Sequence, residues 1–384
     1  MQMDFHYYAT YCAAFIAGYS HEESQTIAYS AQFVDCCTRT LIAYLHGPLS
    51  AATTQLQLEM MEAKTDPVGL QDITRIWASF HFLPYDLNAE VKKGGRRYRN
   101  KYRLLCGPNG PLVKDTVMLA KASSYQAVGI AMHVLADTWA HRYFAGTPSY
   151  VLNNTGDDCA ELREDGEKKI SFIHNPTAKD DIENAIYTNS IHQVNENTIM
   201  NLGHGRAGHL PDYSFIKYKY MPAWGGYGVV IKDNPSEYYM AFAQMVYAMR
   251  YLRGAESDFD LNKYAYEVIV PYEARIRGII EKRQLIACAD WAQFCEELSG
   301  RKLDDFDIAT YQKEYINASK EAKGDTFLGQ YFVAAMRHKS MVTNKIFKSG
   351  SLLAGYSFEY SGNHLKGIRD YFEILKYGGT GAKV

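Results

Sequence analysis

Apolar positions along the chain recur mostly at helical spacing. Residues 5–17 form an apolar and aromatic run that Gly18 ends, and Ser20 with Glu23 has the form of a capping box. The helix it opens is expected to reach about residue 45, with Ile27, Ala31, Val34 and Leu41 on one face and Asp35 inside the apolar stretch. Residues 51–75 read as helical, and "IWASFHFLP" then places His81 just before a proline stop. Further helices are expected over about 113–144, 181–201 and 235–253. Residues 150–180 read as polar and irregular, and 255–384 as amphipathic helices alternating with polar turns. Strand-like alternation is scarce. The pattern therefore predicts a mainly α fold, a multi-helix bundle with a helical C-terminal extension. Residues 1–255 would form one helical domain, with 256–384 packed on it as one unit.

The helix expected over 113–144 carries an anomaly. "AMHVLADTWAHRYFAG" sets His133, Asp137 and His141 four residues apart in an apolar run. At 100° per residue they fall within an arc of about 80°, so all three face one way. A buried carboxylate without a partner is costly, and a buried imidazole has two nitrogens to satisfy. A metal ion meets both demands; so does a network of separately satisfied core residues. Six of the 12 histidines sit in tight motifs: His6 in "DFHYY", His81, His133, His141, and His204 with His209 in "GHGRAGHLPD". Asp4, Asp35 and Asp212 add carboxylates, giving enough nitrogen and oxygen donors for two or three ions and no thiolate.

The formal net charge of -2 argues against a general polyanion binder, which needs a broad excess of Lys and Arg. The basic run Lys92, Lys93, Arg96, Arg97, Arg99, Lys101 and Arg103 would be a solvated loop or a contact to a phosphate-bearing substrate or anionic lipid. Seven cysteines without framework spacing read as free thiols in a reducing compartment. There is no signal-peptide pattern and no apolar run long enough for a transmembrane helix. The expected location is cytoplasmic, or outside the cell by a route without a classical signal peptide. Tyr220 and Trp224, in "YKYMPAWGGYG", are candidates to line a substrate cleft, and Gly203, Gly205 and Gly208 to bend the backbone close to the ions. No GxSxG, P-loop, HExxH or dinucleotide fingerprint points to another reaction.

The order of His6, Asp35, His81, the HxxxD pair at 133 and 137, His141 and a late His with a downstream carboxylate resembles the zinc-dependent phospholipase C and single-strand nuclease superfamily. "DFHYYATY", "AQFVD", "HFLP", "HVLADTWAH" and "GHGRAGHLPD" are more closely similar to an uncharacterised bacterial domain family related to it, over roughly residues 1–255. The resemblance implies a helical fold holding zinc in a cleft. Asp35, His81, His133 and Asp137 would hold one ion, and Asp137 would bridge to a second shared with His6. His141, with His204 or His209 and Asp212, would hold the third. The superfamily also uses a mature N-terminal amine as a ligand; here Asp4 would replace it. The implied activity is phosphoric diester hydrolysis by metal-activated water, with Asp137 as the central catalytic ligand. Phospholipid would be the preferred substrate over single-stranded nucleic acid, with peripheral membrane contact. Two other readings stand beside it: a non-enzymatic helical binding or effector module stabilised by its metal, and an iron metalloenzyme on the same scaffold.

Overall fold

The structure is a computed structural model that describes residues 1–63, 67–89, 102–155, 158–175, 177–191, 198–222, 224, 228–351, 353, 359–361 and 364–366. Among these residues nine helices have eight or more residues: α1 (Thr10–Ala17), α2 (His21–Phe33), α3 (Pro67–Phe80), α4 (Pro111–Ala120), α5 (Tyr125–Ala140), α6 (Asn234–Leu252), α7 (Glu273–Ile280), α8 (Cys288–Ser299) and α9 (Phe327–Lys348). A π-helical segment, Asp4–Ala9, leads directly into α1. Ser20 and Glu23 close the expected capping box at the start of α2. That helix ends at Phe33, well short of 45, and a separate turn of helix covers Arg39–Tyr44.

α5 is the axis of the fold and packs against α2, α6, α4, α9 and α3. Its contact with α2 is close enough that a Cβ on Gly129 would lie 2.4 Å from the Ile27 carbonyl oxygen. Residue 129 must therefore lack a side chain, which lets a polar-faced helix be sealed on all sides. The expected single helix over 113–144 is broken between α4 and α5, where Ala122 has a φ of 56°. Ser124 then restarts the chain by accepting the Ala127 amide. Side chains from both ends of the sequence share the apolar core: Phe5 meets Trp291 edge-on, and Phe33 meets Tyr331 edge-on.

The mainly α expectation is corrected. Among the described residues the helices are joined by a four-stranded antiparallel sheet and a two-stranded parallel one, which makes the class mixed α/β. β1 (Ala160–Arg163), β2 (Gly166–Lys169), β5 (Lys217–Tyr220) and β6 (Val230–Asp233) form an antiparallel sheet in the order β2-β1-β5-β6. β3 (Ser171–Ile173) and β4 (Ile186–Thr188) pair in parallel, and β7 (Glu359–Ser361) with β8 (His364–Lys366) makes a hairpin. These strands are three or four residues long and largely polar, too short to show alternation. The helix expected over 181–201 does not form in the described residues. β4 takes its middle, Ile199–Asn201 is a single 3-10 turn, and residues 192–197 lie outside the description. Lys92, Lys93, Arg96, Arg97, Arg99 and Lys101 also lie outside it. Arg103 donates to the Ala89 and Ser349 carbonyls.

His338 shows how the helices are pinned. It is buried on α9 and its Nε2 donates to the Ser79 carbonyl of α3 at 2.8 Å. Burial lowers this imidazole to about 4. Between pH 4 and 6.5 the unfolded chain therefore binds a proton that the folded chain refuses, so stability falls as pH drops through that window. The contribution is about 3 kcal/mol at full shift. A His338→Gln variant, which keeps a donor, is expected to lose markedly less stability than the parent between pH 7 and 4.5 in urea unfolding. Equal losses would show that His338 does not carry this dependence.

Candidate metal centre

Five separate segments meet at Asp137. α5 supplies His133, Asp137 and, at its C-cap, His141. The π-helical segment supplies His6, the end of α3 supplies His81, and the turn after α2 supplies Asp35. The Gly-rich loop before β5 brings His204 and Asp212. In that loop Gly208 has a φ of 56°, and a Cβ there would lie 1.9 Å from the Thr188 oxygen. Only glycine fits this turn.

The ligand atoms fall into three groups: His6, His133 and Asp137; Asp35, His81 and His133; His141, His204 and Asp212. Within each group they lie within 4.8 Å of one another. Asp137 links the groups. Its Oδ1 is 3.1 Å from His6 Nε2, and its Oδ2 is 3.1 Å from His133 Nε2, 3.4 Å from His81 Nδ1 and 3.5 Å from His141 Nδ1. His141 Nε2 lies 3.2 Å from Asp212 Oδ1. Asp35, the most exposed carboxylate of the set, is 3.7 Å from His81 and 3.9 Å from His133.

Backbone carbonyls set which way the imidazoles face. His133 Nδ1 donates to the Ala31 oxygen at 2.9 Å, and His81 Nε2 to Thr53 at 3.0 Å. His141 Nδ1 donates to His81 at 2.7 Å, and His204 Nδ1 to Gly208 at 2.7 Å. A carbonyl oxygen only accepts, so each of these nitrogens carries the proton. In the neutral ring the other nitrogen then presents a lone pair, and in all four it is the one nearest the other ligands. This is the outer-shell arrangement that orients metal-binding histidines. Burial pushes His6, His133 and His204 down to about 4, which keeps them neutral. Burial opposes the charge of Asp137, but His141, the Met1 amine, His133 and His6 outweigh it and hold the carboxyl well below the usual range. Asp212 is held low against burial in the same way, by His204 and the Met1 amine first.

Several atoms are left without partners. Both ring nitrogens of His6 and Oδ2 of Asp137 are buried and make no hydrogen bond. The residues thus fit a bound cation, with donors of nitrogen and oxygen type.

The expected residues do not all arrive. Asp4 is in none of the groups: its Oδ1 accepts from the Phe5 amide at 2.8 Å and its Oδ2 from the Ala287 amide at 2.9 Å. The Met1 α-amino nitrogen stands where Asp4 was expected, 2.8 Å from Asp137 Oδ1, 3.1 Å from His141 Nε2 and 3.2 Å from Asp212 Oδ1. Burial disfavours its charge, yet Asp137 and Asp212 raise it to about 11. Between His204 and His209, the former joins the group. His209 is more than half exposed and braces Asp212 Oδ2 at 3.2 Å. Tyr220 is buried in a second apolar cluster, stacked on Phe144. Trp224 donates to the Leu152 oxygen at 3.1 Å.

Neither of these aromatics lines the cleft at the centre. That cleft, of 210 Å³, is walled by Met60, Trp77, Phe82, Leu202, His204 and His209 among others, and no Lys or Arg is in its described lining. Trp77 and Phe82 flank His81 in sequence, but an apolar residue beside a ligand is equally a core residue, so the motif alone does not single them out. The orienting carbonyls have no sequence signal at all.

Fold and site together define a mixed α/β protein with a candidate multinuclear His/Asp centre. The chain belongs to a family of unknown function, DUF6765, whose model matches residues 1–346. The match runs past the residue 255 at which the close resemblance was expected to end, and it shows no link to the phospholipase C and nuclease superfamily. No curated protein and no solved structure matches the chain.

Each ligand should matter to its own group. Asp137 stands beside ligands of all three groups, whereas His141 belongs to one. After reconstitution and elemental analysis, Asp137→Asn is expected to lower metal stoichiometry more than His141→Ala. The affinity loss should exceed the roughly 10–100-fold typical of an outer-shell partner. Equal loss of all metal in both variants would contradict this partition.

Proposed function

We propose that the protein is a zinc-dependent hydrolase of phosphoric diesters, acting on phospholipid-type substrates in a phospholipase C-like manner. The observation that carries the reading is the inward turn of imidazole lone pairs around Asp137, whose two oxygens stand within 3.5 Å of a ligand from each of the three groups. A carboxylate with two oxygens suits ions a few ångströms apart. Asp35, His81 and His133 would hold one ion, His6 and Asp137 a second, and His141, His204 and Asp212 a third. When bound, such ions supply Lewis acidity toward a phosphoryl oxygen and acidify water near neutral pH. Asp137 keeps the ligand groups in register, and His209 positions Asp212 at the edge of the cleft. Met60, Trp77, Phe82 and Leu202 would exclude water and receive an apolar part of the substrate. The lack of Lys and Arg in the described lining favours a lipid-like diester over a nucleic-acid polyanion. Among the described residues no helix is long and apolar enough to cross a membrane.

A second reading has its own support. His6, His133 and Asp137 are almost wholly buried, as in a site that holds an ion for stability. Metal analysis followed by hydrolysis of p-nitrophenylphosphocholine and bis-p-nitrophenyl phosphate separates the two. The proposal expects two to three zinc per chain and turnover that Asp137→Asn lowers by at least ~10³-fold. Bound metal with no cleavage of any diester would leave the structural role; bound iron would point to redox chemistry instead.

A further inference from the structure

Cys12 on α1 and Cys295 on α8 face each other at the seam between the N-terminal segment and the C-terminal third. Their sulfurs are 3.4 Å apart, and both residues are fully buried. Among the described residues this is the one cysteine pair in sulfur–sulfur contact, although 283 positions separate its members. The surroundings are held on both sides. Asp4 Oδ2 accepts the Ala287 amide just before α8, and Phe5 packs edge-on to Trp291. Cys295 also donates to the Tyr8 carbonyl at 3.5 Å. A disulfide needs the sulfurs at about 2.05 Å, so closure asks for a shift of little more than an ångström.

We propose that Cys12 and Cys295 are an oxidisable pair whose disulfide clamps the N-terminal segment to α8. The inference is independent of the metal reading, although the clamped segment is the one that carries Met1 and His6. A low-molecular-weight disulfide is the oxidant. One cysteine thiolate attacks a sulfur of the reagent, forms a mixed disulfide and releases one reagent thiolate. The second cysteine thiolate attacks the mixed disulfide and releases the other. The protein loses two electrons and two protons, and both are recovered in two reagent thiols. Burial pushes the Cys12 thiol well above its ordinary value, so reaction goes through transient opening of the seam and is slow.

The test uses the full chain, incubated with oxidised glutathione at pH 8.5 for a day under native conditions, then denatured, alkylated and mapped without reduction. Two of the seven thiols should disappear, in one cross-linked peptide pair containing Cys12 and Cys295. The Tm should rise by roughly 5–10 °C, given the length of the closed loop. Cys12→Ala and Cys295→Ala should each abolish the shift, and if either fails to fold, peptide mapping of the parent chain still decides. Seven alkylated cysteines after treatment, or a cross-link joining any other pair, would overturn the proposal.

Discussion

A carboxylate buried among imidazole nitrogens needs positive charge beside it, and Asp137 imposes that requirement on the whole molecule. At 1% exposure it has no access to water's dielectric screening. Removing such a group from water without compensation costs several kcal/mol. The compensating groups come from the N-terminal segment, the end of α3, α5 itself and the loop before β5. No single supersecondary unit contains them. The packing of α2, α3, α6 and α9 around α5 is therefore also what assembles the site.

The sequence left two readings of the polar stripe on α5: separate core residues, each satisfied, or convergence on an ion. Hydrogen-bond direction bears on that choice. In a satisfied core network, each imidazole would give its proton to one neighbour and its lone pair to a donor. Here the protons of His81, His133, His141 and His204 go outward to carbonyl oxygens. The other nitrogens of His81, His133 and His204 face carboxylates and each other, with His133 Nε2 and His81 Nδ1 3.3 Å apart, whereas that of His141 also meets the Met1 amine at 3.1 Å. Acceptors opposed to acceptors repel at this range, and a cation between them turns the repulsion into attraction. The Met1 amine offers such a charge at one end of the site, near Asp212. It does not satisfy the buried nitrogens of His6.

The parts of this site that were legible in sequence are those fixed by local geometry. That His133, Asp137 and His141 share one face follows from helical periodicity, and the order of the His motifs is what set His81 beside them as a candidate. His204 and His209 were not separable, since both sit in one glycine loop and only its tertiary path turns one inward. Asp4 was misplaced for a related reason. Its spacing from His6 is compatible with a shared site, but the π-helical segment turns its carboxylate toward the amides of Phe5 and Ala287. The sheet escaped because β1, β2, β5 and β6 hold four residues each, with mostly charged or Tyr side chains. Tyr220 shows the cost of missing it: as a strand residue its ring enters the second apolar cluster, whereas as a loop residue it was free to be assigned to a cleft.

The C-terminal third is tied to the site through the N-terminal segment. Asp4 caps the amide before α8, Tyr7 donates to the Asp304 carbonyl, and Cys12 touches Cys295. These contacts lie on the same segment and first helix that follow Met1 and contain His6. A segment of a few residues cannot hold an imidazole against Asp137 by its own helical propensity, because short isolated helices are marginal in water. Its position has to come from tertiary packing, and the residues that provide it lie near 290–306. The region beyond 255 is thus part of what positions the first ligand, which gives a physical reason for the family match to extend through residue 346.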